Sequence, residues 1–134
     1  QMYVQRVLPL HRRYYDAAGN DAPRSIHLCG DATHLFQTIH KELNVTSFDT
    51  GFPVDFAELR RQLGPDVEVS GGVEVPLIMN GTSDQVYERS KEILLSGIKE
   101  GGRFIFQEGN NLPPCAPVAN LAAMYEACME FGSY

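Results

Sequence analysis

An imidazole and a thiol stand two residues apart, His27 and Cys29, in the stretch Ser25-Ile26-His27-Leu28-Cys29-Gly30. If the stretch is a strand, its period of two puts both side chains on one face and Ile26 and Leu28 on the other. Their Cβ atoms are then roughly 6–7 Å apart. A ring nitrogen and a thiolate sulfur at that spacing suit one tetrahedral zinc ion, with bonds of about 2.0–2.3 Å, better than magnesium or calcium. Zinc needs more than two ligands. A buried strand that carries one histidine and one small apolar cysteine reads the same way, so on spacing alone both readings stay open. Two carboxylates lie at comparable points further on, Asp49 after Phe48 and Glu108 after Gln107. Each is a candidate pocket carboxylate, as metal ligand or general base, or else a residue that caps its loop.

Strands must carry these groups to one place. A helix is expected from Pro9, which a first helical turn tolerates, to Gly19, with Leu10, Tyr14 and Ala17 inward. A turn over residues 20–23 leads into a strand at 24–29. Asp31 or Thr33 caps a helix that runs to Leu43, with Leu35, Phe36, Ile39 and Leu43 inward and Asn44 as its stop. A strand at 45–48 precedes a helix at 56–63 that Asp55 starts and Gly64-Pro65 closes. Residues 67–70 form a strand that runs into Gly71-Gly72. With no phosphate-loop lysine nearby, the two glycines read as a close backbone approach or a bulge. Ser83 or Asp84 caps a helix reaching about residue 99. A strand at 103–107, a loop over 108–117 and a helix at 118–131 follow, with Leu121, Met124 and Cys128 in the last apolar stripe.

One helix and four strand–helix units predict a parallel sheet with right-handed crossovers. The loops after the strands are richer in Gly, Asp and Asn than the loops before them, which puts the site at the carboxyl ends. His27, Cys29, Asp49, Gly71 and Glu108 should therefore gather there. Four strands of a barrel would leave two unpaired edges and an apolar open face, so self-association of the chain is expected.

The bulk numbers narrow the function classes. A chain of 134 residues accommodates one domain. A net charge of -6 argues against nucleic acid or an anionic membrane as partner. The basic pairs Arg12-Arg13 and Arg60-Arg61 read as solvated helix positions, and no apolar run approaches the roughly 20 residues of a membrane span. Three cysteines, Cys29, Cys115 and Cys128, are too few for a disulfide framework, so reduced thiols in a cytoplasm are expected. Gln1 as first residue reads as an excerpt.

Several segments agree in order with one known family. Ser25-Ile26-His27-Leu28-Cys29-Gly30 resembles the His-x-Cys-Gly segment of the uroporphyrinogen decarboxylase superfamily, in its cobamide-dependent methyltransferase branch. Residues 54–60 with Leu63-Gly64, Val69-Ser70-Gly71-Gly72-Val73 with Pro76 and Gly81-Thr82, and Gly101-Gly102-Arg103-Phe104-Ile105 resemble later family segments. Residues 109–113 with Pro117, Asn120 and Leu121 resemble its closing loop and helix. The resemblance covers nearly the whole chain, residues 1–134, and implies the carboxyl-terminal half of a (β/α)8 barrel, an α/β fold.

That resemblance implies a chemistry. In the methyltransferase branch His, Cys and a second Cys from the closing loop hold zinc, which lowers the pKa of a thiol substrate that exchanges a methyl group with a corrinoid protein. On that pattern His27 and Cys29 are ligands. The second Cys should stand at Asn110 and does not; Cys115, five residues on, is the candidate third ligand, with Glu108, Glu74 or Asp49 as oxygen donors instead. Gly71 and Asn110 fall in loops expected to contact substrate. The alternatives are a uroporphyrinogen decarboxylase acting on a tetrapyrrole in porphyrin biosynthesis, without metal, or a non-catalytic binding module.

Overall fold

Helical structure begins well before Pro9. In the computed structural model, which describes residues 2–19 and 22–134, a π-helical turn at Tyr3–Val7 runs directly into α1 (Leu8–Ala18). Pro9 lies in the first turn of α1, where the position tolerates its missing N–H. The wider turn shifts the phase of the apolar face. Leu8 is buried and Tyr15 packs on the core, whereas Leu10 and Tyr14, expected inward, are exposed. Asn20 and Asp21 of the expected turn lie outside the described residues.

Four strands follow, β1 (Arg24–Leu28), β2 (Val45–Thr50), β3 (Glu68–Val73) and β4 (Phe104–Glu108). They form one parallel sheet in sequence order. The helices between and after them are α2 (Phe36–Leu43), α3 (Phe56–Leu63), α4 (Val75–Asn80), α5 (Ser83–Leu95) and α6 (Val118–Phe131). The expected alternation is therefore present, and α3 and α6 have their expected limits. Asp55 caps α3 by accepting from the Glu58 N–H at 3.0 Å.

Other boundaries differ, each for a physical reason. Asp49, Gly71 and Glu108 lie inside strands rather than in the loops after them. A polar or glycine residue reads as a stop locally, but pairing with a neighbouring strand continues the ladder. The short helix α4 was not expected; Pro76 stands in its first turn, the one helical place proline fits. Thr82 and Gln85 cap α5 reciprocally, in place of Ser83 or Asp84. A short 3₁₀ turn at Thr33–Leu35 precedes α2, and neither Asp31 nor Thr33 caps that helix.

One face of the sheet is covered by helices. Phe48, Val69 and Phe104 pack there with Phe36, Ile39 and Leu43 of α2, Leu59 of α3, and Val86, Ile93 and Leu94 of α5. Phe36 meets Phe48 and Phe56 meets Phe104 edge-on, at 5.4 and 5.7 Å between ring centres. A register shift between Arg24 and Ser25 passes over Thr46, which is why Val45 and Phe48, three apart, are both buried. The other face carries Ser25, His27, Ser47, Asp49, Glu68, Ser70, Ile105 and Gln107 by alternation. It is polar, not apolar as expected; Ile105, half exposed, is its one large apolar side chain. Among the described residues no helix is long and apolar enough to cross a membrane.

The amino ends of the strands are held by Arg60, which is not a solvated helix residue but is buried to 3% exposure. Its guanidinium donates to the carbonyls of Ile98, Gly64, Val67 and Arg103 at 2.7–3.1 Å. Burial pulls its pKa below the usual arginine range, while Glu100 and Tyr134 push it back up. Buried Asn120 of α6 ties down the α4–α5 connection. Its amide donates to Ile78 and Gly81, and its oxygen accepts from Ser83.

Candidate functional site

Three strands converge on one carboxylate. Asp49 of β2 is in register with His27 of β1 and Ser70 of β3. Its Oδ2 lies 2.7 Å from His27 Nδ1. Its Oδ1 accepts from Gln107 Nε2 at 2.9 Å and from Ser70 Oγ at 3.3 Å. An ionised carboxylate only accepts, so a neutral His27 presents Nδ1–H to it. The other ring nitrogen, Nε2, has no hydrogen-bond partner among the described residues. The pair is on the polar face that no helix of this chain covers, with side chains 42% and 44% exposed. Beside it, at the outer edge of β1, lies a cavity of about 270 Å³ lined by His11, Tyr14, Tyr15, Ser25, Ile26 and His27.

Cys29 follows β1 and is exposed as a free thiol. Its seat is Gly51, directly after β2. The Gly51 N–H donates to the Leu28 carbonyl at 2.8 Å. A Cβ on Gly51 would fall 2.6 Å from the Cys29 sulfur and 2.8 Å from its Cα. Histidine and cysteine are thus both positioned by β2, one by a hydrogen bond from two residues upstream of the glycine, the other by the space the glycine leaves.

The remaining expected site residues divide. The parallel register puts His27 and Asp49 at the same level of the sheet, as the strand directions required. Gly71 faces the helices instead: a Cβ there would meet Thr50 Oγ1 at 2.1 Å and the Phe56 ring at 3.2 Å. It gives close backbone approach and no surface to the open face. Glu108 ends β4 in register with Val73. Asn110 is partly exposed in the bend after Gly109. Glu74 is engaged by Arg89 in an ion pair at 2.7 Å. Cys115 is exposed at a positive φ of 65° in the closing loop. Among the described residues no three His, Cys, Asp or Glu side chains are grouped to hold a metal ion, so Cys115 does not complete a set with His27 and Cys29. As zinc ligands, His27 through Nε2 and Cys29 through its sulfur fit: a carboxylate behind the imidazole is the usual support of a metal-binding histidine. They are two ligands of the three that a catalytic zinc needs.

Ser70, Gln107 and Gly51 were not read as site residues. Alternation marks the face on which Ser70 and Gln107 stand, but only the strand register says that both point at Asp49.

A parallel strand–helix array with its helices on one face is the layout of part of an α/β barrel. The family model for uroporphyrinogen decarboxylase (URO-D) matches residues 1–131, and the chain belongs to that family. It is similar to a methylated-thiol–coenzyme M methyltransferase of Methanosarcina mazei, 34% identical over 132 residues, covering 97% of this chain and 33% of that protein. It is also similar to a uroporphyrinogen decarboxylase of Picosynechococcus sp., 25% identical over 139 residues, covering 100% of this chain and 38% of that one. Among solved structures, a methyltransferase from Methanosarcina mazei superposes with a TM-score of 0.76 at 17% identity, over 98% of this chain and 37% of the other. That likeness shows the fold. The chain spans about a third of the length of these curated relatives.

Proposed function

We propose that this chain carries part of the active site of a methyltransferase that moves a methyl group to or from a thiol or similar acceptor, with a corrinoid protein as methyl carrier. The observation that supports it is the His27–Asp49 pair beside Cys29. Nδ1 is committed to the carboxylate, Nε2 is left for a ligand bond, and an exposed thiol follows two residues later. The likeness to a methyltransferase named for methylated thiols adds to it. Zinc held by His27 and Cys29 would lower the pKa of a thiol substrate. The chain's own residues do the rest. Asp49 orients the imidazole and holds the Nδ1 proton. Gly51 keeps Cys29 close to β2. A third ligand would come from Cys115, from a nearby carboxylate or from the rest of the barrel.

Elemental analysis of the full-length protein and of its Cys29→Ala and Cys115→Ala variants tests this. Zinc near one equivalent that is lost in Cys29→Ala is the expected result. Unchanged stoichiometry in Cys29→Ala makes His27 and Cys29 ordinary strand residues and removes the chemical basis of the reading. The second reading, a metal-independent decarboxylase acting on a tetrapyrrole, is supported by the similarity to the Picosynechococcus protein. It predicts loss of tetrapyrrole carboxyl groups with no dependence on zinc.

A further inference from the structure

The Asp49 carboxylate is held from further away than a neighbouring strand. Gln107 stands on β4 and Asp49 on β2, two interstrand spacings apart, or about 9.6 Å. The β3 register partner of Gln107 is Gly72. Glycine is required there by space: a Cβ on Gly72 would sit 1.8 Å from the Gln107 carbonyl oxygen. Only an amide N–H can face a carboxylate, so Gln107 donates through Nε2 to Oδ1 at 2.9 Å. Ser70 donates to the same oxygen more weakly, at 3.3 Å. A carboxylate that is 44% exposed and tied through one oxygen alone would turn about its last side-chain bond. Tied through both, it offers Oδ2 to His27 in one direction.

We propose that Gln107 is a positioning residue for His27. By pinning Asp49 Oδ1, it makes Oδ2 keep the imidazole as the Nδ1–H tautomer, with Nε2 free to bind a metal. The assignment rests on the zinc reading for its purpose and on the hydrogen-bond geometry alone for its mechanism. No residue of the open face other than Gln107 and Ser70 donates to Oδ1 among the described residues, so loss of the glutamine amide leaves a single long bond there.

The test uses the metal-free full-length protein, labelled with nitrogen-15, at mildly alkaline pH. Long-range proton–nitrogen spectra then report which ring nitrogen of His27 carries the proton. Wild type is expected in the Nδ1–H form. Gln107→Leu, and Gln107→Asn, whose shorter amide falls short of Asp49, are expected to show a mixture with the Nε2–H form. Should Gln107→Leu fail to fold, Gln107→Asn carries the test. An unchanged Nδ1–H form in a folded variant overturns the positioning role, whatever happens to the urea midpoint. Cobalt(II) titration, followed by its thiolate absorption, is the second readout, with affinity expected to fall about tenfold in Gln107→Leu. A wild-type protein that binds no cobalt overturns the zinc reading, while the tautomer still decides the role of Gln107.

Discussion

Replacing Gly51 with alanine tests whether the site is built by space as well as by hydrogen bonds. The new methyl carbon would stand 2.6 Å from the sulfur, 2.8 Å from Cα and 2.9 Å from Cβ of Cys29. The thiol can rotate away, but the Cα is backbone and cannot. Ordinary contact starts at 3.4 Å, so the Cys29 backbone must retreat from β2 by at least 0.6 Å, the difference from 2.8 Å. The Gly51 N–H bond to the Leu28 carbonyl, 2.8 Å now, lies in the path of that movement. Overpacking of this kind costs about 1–3 kcal/mol, to be read from the urea midpoint at constant slope. Function is expected to suffer more than stability, because a displacement near 1 Å at a reacting centre costs on the order of a hundredfold in rate. Cobalt(II) binding and methyl transfer to a thiol, measured on the full-length protein, should both fall. Gly30→Ala is the comparison: it has φ of +80° but nothing beyond its own chain neighbours within 4 Å of an added Cβ, so it strains the backbone without pressing on β2. A Gly51→Ala protein with wild-type midpoint and wild-type cobalt absorption would refute the argument that Gly51 seats the thiol.

Three further outcomes follow from the same geometry. Arg60→Met fills similar volume but removes the donor from the buried bonds to the Ile98 and Val67 carbonyls; at about 1–3 kcal/mol for each unsatisfied group, a loss of about 2 kcal/mol or more is expected, and a urea midpoint within error of wild type counts against it. The Glu130 carboxylate, accepting from the Tyr87 hydroxyl at 2.6 Å, pushes that phenol's pKa up to about 12. Because the folded value lies above the unfolded one of about 10, the stabilisation is complete below pH 10 and lost as pH rises toward 12; Tyr87→Phe should flatten that part of the stability curve, and an identical slope argues against the bond. Asn120→Leu strands the Ile78 and Gly81 carbonyls and the Ser83 hydroxyl, so the α4–α5 connection should exchange its amide protons faster than wild type, which hydrogen exchange resolves segment by segment.

Local rules in the sequence determined much of this protein. A period of two set Ser25 and His27 on the face opposite Ile26 and Leu28, although the strand stops at Leu28, one residue short of Cys29, and a cap at Asp55 with a stop at Gly64 bounded α3. Alternating strands and helices, with punctuation after each, gave the parallel order of the sheet. Such features depend on residues within a few positions of one another, so a linear reading reaches them. The tertiary structure alone decided which carboxylate meets the imidazole. Asp49 lies 22 residues from His27 and Gln107 58 residues from Asp49, and a register slip of one would turn each of them to the helix-covered face. The same holds for Arg60, which looks like one of a solvated pair until the distant Ile98 and Arg103 carbonyls join those of Gly64 and Val67 around it, and for Gly51, whose lack of a side chain matters only because Cys29 packs against it. Register and packing are set by the sum of many contacts across the chain, and no local stretch contains them.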